Sequence, residues 1–469
     1  MNGSPYGCDV TDGSEPQREP AVVLTAPREG TPEPITTPAG LARAAALLAG
    51  GSGPVAVDAE RASGYRYTHR AYLVQLRREG AGTILIDPLP LGDLTPIGEA
   101  IGDVEWVLHA ASQDLPCLVE VGLRPTQLFD TELAGRLANF ERVGLAALTE
   151  QLLGFALEKH HSAADWSTRP LPASWLSYAA LDVELLIGLR DKLEAELAEQ
   201  GKLEWAHEEF STLVASAGRT PTPRPDPWRR TSGIHKLRGA RALSRVRALW
   251  YARDRVAARR DTAPGRVLPD AAIISAAEAN PRDERELLAL PGFGGRSVRR
   301  MAQSWLDALD EARRLTDRDL PQPAAADGPP PPHRWAERDP IAAARLARCR
   351  EVVTRLAGEH NLPPENLVAP DSVRRLAWAP PGIINDLTVT EALTANGVRG
   401  WQSSLLAVEL AQALHDPVLI APVAQTPLST EPPTEQPPDP PTEQPTGQPT
   451  EQPAEQPAEQ PAVAEPPPA

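Results

Sequence analysis

Apolar positions along this chain follow three regimes. From about residue 35 to 218, short apolar runs bounded by glycine and polar turns alternate with stretches of helical spacing. From about 228 to 316, and again from about 334 to 417, only helical spacing persists, and beyond that almost nothing remains to bury. Within the first regime, residues 38–48 carry the spacing of a helix. Residues 55–57, 72–76 and 83–86 are apolar runs, the last two separated by the turn Glu79-Gly80-Ala81-Gly82, which predicts three strands in an antiparallel meander. A strand-like run at 106–109 and helical periodicity over 113–120, 129–137, 145–152 and 175–197 complete a mixed sheet with helices packed on it.

The two later regimes share a pattern. A long Arg/Ala/Leu helix over 242–260 leads to Pro269-Asp270-Ala271-Ala272, and another over 342–359 leads to Pro370-Asp371-Ser372-Val373. Two small all-helical modules in tandem are the economical reading. Proline-rich breaks at 219–227 and 317–333 read as interdomain linkers, and residues 1–34 as a disordered lead-in. Residues 418–469 form a tail that repeats Thr/Ala-Glu-Gln-Pro, extended and solvated because it is proline-rich and has no apolar face.

Composition narrows the class. A chain of 469 residues exceeds what one core serves, and its 52 prolines concentrate in these breaks and the tail. It has neither an apolar run long enough to span a bilayer nor the layout of a signal peptide, and its three cysteines are too widely spaced for a disulfide framework. A cytoplasmic protein without membrane contact is expected. The net charge of −16 conceals an asymmetry: residues 34–218 hold 14 basic and 25 acidic side chains, whereas residues 224–314 hold 20 and 11. A polyanion is therefore expected to meet the middle of the chain.

The candidate chemistry lies in acids. Asp58-Ala59-Glu60 puts two carboxylates on one face of a strand end, Asp114 follows a short strand, and Tyr178 with Asp182 shares one helix face at i and i+4. Several carboxylates converging from different elements suit hard divalent cations. In the middle module, Gly292 and Gly294, with Arg296, Arg299 and Arg300 at the start of the following helix, form a candidate phosphate contact. A tight helix–helix connection explains the glycines equally well.

Residues 50–190 resemble the exonuclease domain of the ribonuclease D family, in the tyrosine variant of the DEDD superfamily. The resemblance rests on Val57-Asp58-Ala59-Glu60 with Leu73-Val74-Gln75-Leu76, on His109-Ala110 through Asp114-Leu115, and on Asp165-Trp166-Ser167-Thr168-Arg169-Pro170-Leu171 running into Tyr178-Ala179-Ala180-Leu181-Asp182. Residues 228–316 and 334–417 resemble paired HRDC domains. The resemblance implies a ribonuclease H-like α/β domain and 3′ to 5′ exoribonuclease activity on structured RNA, transfer-RNA precursors among it; the sequence does not fix the oligomeric state, and a monomer is the working expectation. It also implies two divalent ions, Mg²⁺ or Mn²⁺, with Asp58, Glu60 and Asp182 around one, Asp58 and Asp114 around the other, and Tyr178 aiming the water. Gln75, Lys159 and Arg169 are candidates to lie against substrate, an ordinary solvated surface being equally open for the last two; His109 is a further candidate, although a hydrogen-bonded structural histidine at a strand end is the favoured reading. The chain departs from the family where an aromatic usually follows Asp-x-Glu and a Tyr-Tyr-Pro-like run precedes the second strand: it has Arg61 and Tyr67-Thr68-His69, expected to alter only the substrate-side wall. Nothing in the acids or Tyr178 reads a 2′ hydroxyl, so single-stranded DNA is an alternative substrate; a binding protein that has lost its activity is the other rival.

Overall fold

The computed structural model describes residues 20–157, 164–219, 224–322 and 328–415. The first domain contains β1 (Val22–Leu24), α1 (Pro38–Ala49), β2 (Ser52–Arg61), β3 (Ala71–Glu79), β4 (Gly82–Ile86), α2 (Thr95–Ala100), β5 (Glu105–Leu108), α3 (Leu115–Glu120), β6 (Gln127–Asp130), α4 (Thr131–Leu137), α5 (Leu145–Leu153), β7 (Phe155–Leu157), α6 (Ala173–Glu184), α7 (Leu186–Glu199) and α8 (Leu203–Ser216). Five strands form one sheet in the order β4-β3-β2-β5-β6, antiparallel across the meander β2–β4 and parallel across β2-β5-β6.

Alternation along β2 sorts its side chains. Val55, Val57 and Ala59 enter a core with α1, α2 and α3, whereas Ala56 packs on the opposite side against α6 and α7. Asp58 and Glu60 share the face of Ala56, because side chains two apart on a strand point the same way. The candidate acids therefore lie under α6, the helix that carries Tyr178 and Asp182.

Four local expectations change. Residues 127–130 form β6 rather than the start of a helix: Leu128 and Phe129 are buried beside β5, and a short apolar run has no period that separates strand from helix. The helix expected over 175–197 is two helices joined at Leu185, and α8 follows. Part of the expected lead-in is ordered, since Val22, Val23 and Leu24 pair with β7 in a parallel ribbon. Residues 317–322 of the expected second linker are tied to the middle module, Arg241 donating to the Asp317 carboxylate at 2.5 Å and Arg247 to the Asp319 carbonyl at 3.0 Å.

The middle module comprises α9 (Ala240–Arg260), α10 (Pro264–Val267), α11 (Asp270–Ala279), α12 (Glu284–Leu288), α13 (Arg296–Arg299) and α14 (Ala302–Arg314), around its own core with Trp228 and Trp305 fully buried. The last module comprises α15 (Trp335–Arg338), α16 (Pro340–Glu359), α17 (Pro364–Leu367), α18 (Pro370–Trp378), α19 (Asp386–Ala395) and α20 (Gly400–His415). It shares one continuous core with α4, α7 and α8 of the first domain. Trp205 stacks on Trp401 with ring centres 4.8 Å apart, and the Glu208 carboxylate accepts the Gly400 and Trp401 amides at the start of α20. An anion at a helix N-terminus is stabilised by the unpaired N–H groups there. All described residues thus fall in one compact unit.

Candidate active site

Asp58 and Glu60 end β2, and Asp182 descends from α6. One carboxylate oxygen from each falls within 4.8 Å of the others. Burial is the main force raising all three carboxyls above their ordinary values, to about 6 for Asp58 and well above the usual range for Glu60 and Asp182; repulsion adds to it for Glu60 and Asp182. Crowded carboxylates with all-oxygen donors suit a hard divalent cation, whose charge relieves both penalties. Tyr178, one turn before Asp182, hydrogen-bonds its carboxyl; burial and the surrounding acids push the phenol pKa up, so it stays protonated and donates.

Asp114 reaches the site by another route. β5 ends at Leu108, Ala110 takes a left-handed conformation (φ 59°), and a 3₁₀ turn at Ala111–Gln113 delivers Asp114 to the start of α3. The buried Asp130 carboxylate fixes this corner. It accepts the Ala110 and Ala111 amides at 3.1 and 2.9 Å while capping α4 through Glu132 and Leu133. Sequence reasoning passed over Asp130, although Asp-Thr-Glu after an apolar run is an N-cap signal. Asp114 itself is raised to about 8, mainly by burial and then by Asp58, and its Oδ1 lies 3.1 Å from Nη2 of Arg61. Arg61 thus enters the acid cluster rather than only lining the substrate side, because the end of β2 carries it past the sheet toward Asp114.

Other candidates are placed elsewhere. Gln75 sits opposite Asp58 across the β2–β3 ladder but is sealed from solvent, with no surface to meet a phosphate. Its amide N and O have no hydrogen-bond partner among the described residues. His109 bonds Thr131 Oγ1 through Nδ1 at 2.9 Å, and burial lowers its pKa to about 4, so it is a neutral structural group. Arg169 is likewise structural: its guanidinium forks onto Asp87 at 2.6 and 3.0 Å and bonds the Tyr72, Trp166 and Thr168 carbonyls. Lys159 lies outside the described residues. Asp165 accepts the Ser167 amide and hydroxyl, and Trp166 is fully buried, so both brace the loop ahead of α6. Gly292, Gly294, Arg296, Arg299 and Arg300 are exposed. Gly292 has φ 88° and packs against Ala272, where a Cβ would come within 2.7 Å of the Ala272 Cβ. Close packing of this loop on α11 therefore accounts for that glycine.

The loop between β2 and β3 leads away from the acids to the middle module. Asp261 at the end of α9 accepts the Tyr67 and Thr68 amides and the Thr68 hydroxyl at 2.9–3.1 Å. Tyr67 donates to Asp254, Arg266 lies over the Tyr65 ring, and Arg66 bonds Ser167. One loop thus joins the first acidic motif, the loop before α6 and the middle module.

Converging strand and helix carboxylates suit metal-assisted phosphodiester chemistry, and comparison with known families gives the class, a 3′-5′ exonuclease. A 3′-5′ exonuclease family matches residues 32–198, an HRDC domain family residues 242–309, and a 3′ to 5′ exonuclease C-terminal domain family residues 328–414. Ribonuclease D of Granulibacter bethesdensis is 31% identical over 69% of this chain and 80% of its own, and that of Acidiphilium cryptum 34% over 66% and 83%. The crystal structure of a protein from Bifidobacterium adolescentis superposes with a TM-score of 0.78 at 38% identity, covering 84% of this chain and all of its own. That of Escherichia coli RNase D, described as an exoribonuclease involved in structured RNA processing, gives 0.60 at 27%, covering 82% and 98%. The chain belongs to the ribonuclease D family and is a 3′-5′ exoribonuclease.

Proposed function

We propose that Asp58, Glu60 and Asp182 hold one divalent ion and that Asp114, with Asp58, holds a second, Mg²⁺ or Mn²⁺ serving in both places. The carrying observation is the convergence of the first three carboxylates within 4.8 Å beside a protonated Tyr178. Ions so held supply Lewis-acid stabilisation for in-line displacement at phosphorus and ease the deprotonation of water. The carboxylates fix where that charge sits. Tyr178, anchored on Asp182, directs its hydroxyl at the water's position without replacing a ligand.

The substrate is the 3′ end of structured RNA, transfer-RNA precursors included, trimmed by a monomer in the cytoplasm. In support, the middle module carries the chain's excess of basic side chains, and it is docked to the loop that follows Asp58 and Glu60. Among the described residues no helix is long and apolar enough to cross a membrane. Arg296, Arg299 and Arg300 supply phosphate contacts there, with the backbone of the loop containing Gly292 and Gly294. The test is degradation of 3′-labelled and 5′-labelled RNA and DNA of equal sequence in Mg²⁺, in Mn²⁺ and in chelator. Shortening from the 3′ end of RNA only with metal is expected; equal activity in chelator would overturn the metal assignment, and equal rates on DNA the substrate.

A further inference from the structure

Three of the four acids stand together and the fourth is already engaged. Asp58, Glu60 and Asp182 offer oxygens within 4.8 Å of one another, and Asp114 is not in that group. Its Oδ1 instead faces Nη2 of Arg61 at 3.1 Å, in a pair whose Asp114 side chain is 9% exposed and whose Arg61 side chain is 26% exposed. Arg61 Nε is buried and has no hydrogen-bond partner among the described residues; the guanidinium pairs directly with the Asp114 carboxylate, while its charge also acts on Asp58 and Glu60 without an ion-pair contact. A fixed positive charge beside a carboxylate competes with any cation for it. The competition is strong in a site poorly reached by water.

We infer that Arg61 is the resident counter-ion of Asp114, so that the three-acid position accepts a divalent ion readily while the Asp114 position accepts one only by displacing the guanidinium. Arg61 is then a positioning residue that sets the gap between two metal affinities. The inference rests on the proposal that these four acids are the metal ligands, and its test separates the two. Metal-stripped full-length protein is titrated with Mn²⁺, free ion being counted by electron paramagnetic resonance. The native chain is expected to show a tighter and a weaker step. In Arg61→Gln the weaker step should tighten roughly tenfold, the order expected for removing one charge near a divalent ion, while the tighter step shifts much less. Arg61→Lys, which keeps the charge, should retain the gap. In an Asp114→Asn background the weaker step should be absent and Arg61→Gln should change nothing further.

A weaker step that stays put or loosens in Arg61→Gln, with Asp114→Asn still abolishing it, overturns the counter-ion role and leaves the ligand assignment standing. Both steps surviving in Asp114→Asn overturns both. Thermal unfolding of each variant in chelator confirms that folded protein is compared, and because binding is read rather than turnover, a defect in catalysis does not enter.

Discussion

Four carboxyl groups beneath α6 are buried and poorly solvated, and Glu60, Asp114 and Asp182 are also repelled by neighbouring acids, which raises the pKa of each of the four above its value in an unfolded chain. The folded state therefore binds more protons than the unfolded state between the two values. This contribution to stability is complete below about pH 4 and is lost as pH rises through about 6 for Asp58 and about 8 for Asp114. Metal-free protein should melt progressively lower between pH 5 and 8. Asp58→Asn should flatten that fall and stabilise the chelated protein at pH 8 by roughly 1–3 kcal/mol, while abolishing hydrolysis. Thermal unfolding in chelator checks it; an Asn variant less stable than the native chain at pH 8 would sink the crowding argument. Tyr178→Phe should behave differently. It removes a hydrogen bond used at the attacking water but no ligand, so single-turnover cleavage should slow roughly 10- to 100-fold, the equivalent of about 1.5–3 kcal/mol, with RNA affinity in Ca²⁺ unchanged. A defect confined to binding would make Tyr178 a substrate contact. At this scale the sequence was legible where chemistry restricts residue type: Asp58, Glu60, Asp114, Tyr178 and Asp182 are recognisable by kind and spacing. Arg61 was not, because its meeting with Asp114 depends on a corner built by Asp130 far along the chain.

Among the elements, the block around Arg169 separates a motif's recognisability from its purpose. An arginine beside an exonuclease motif invites a phosphate role, yet its fork closes on Asp87 and ties the loop ahead of α6 to β3 and to the end of β4. Asp87 is buried, and its second tie is the Leu89 amide. Arg169→Ala should leave that carboxylate without its cation and lower stability by about 2–4 kcal/mol in urea denaturation, with RNA affinity of the remaining folded protein unchanged. Loss of affinity at full stability would restore the phosphate role. The meander β2–β4 was legible because alternation and a glycine turn act locally, with Gly80 and Gly82 at φ 83° and 72°. The boundary between β6 and α4 was not, since burial on both sides of the sheet leaves a run such as Leu128-Phe129 no polar face to set a period. The break at Leu185 escaped for the opposite reason: apolar residues continue across it, and the turn comes from packing on the sheet rather than from proline or glycine.

At the level of the whole molecule, the tandem helical modules that look alike in sequence serve different ends. The last one is fused to the first domain through a shared core, the Trp205–Trp401 stack, the Arg399–Glu209 ion pair and the buried Lys202, whose ammonium donates to the Leu137 and Asn361 carbonyls. The middle one keeps a core of its own and holds the excess of basic side chains, 20 against 11 acidic over residues 224–314. Charge counted along the sequence distinguished the two; the shared core was invisible there, because helical periodicity does not name the partner of an apolar face. Removing the last module would strip a core face, so the contribution of the middle module to RNA binding is better tested by charge than by truncation. Arg296, Arg299 and Arg300 are exposed. Replacing all three by glutamine removes positive charge without disturbing a packed side chain. Each lost phosphate contact should lower the slope of log affinity against log salt by roughly 0.7–0.9, so a triple variant using all three should lose about 2–3 from that slope. Affinity for transfer-RNA-sized substrates should fall most at low salt, whereas cleavage of a short oligonucleotide that reaches only the acidic site should keep its rate. Filter binding across a salt series decides the matter: an unchanged slope would remove this surface from the RNA path, and an equal loss on the short oligonucleotide would place these arginines at the catalytic domain's own substrate instead.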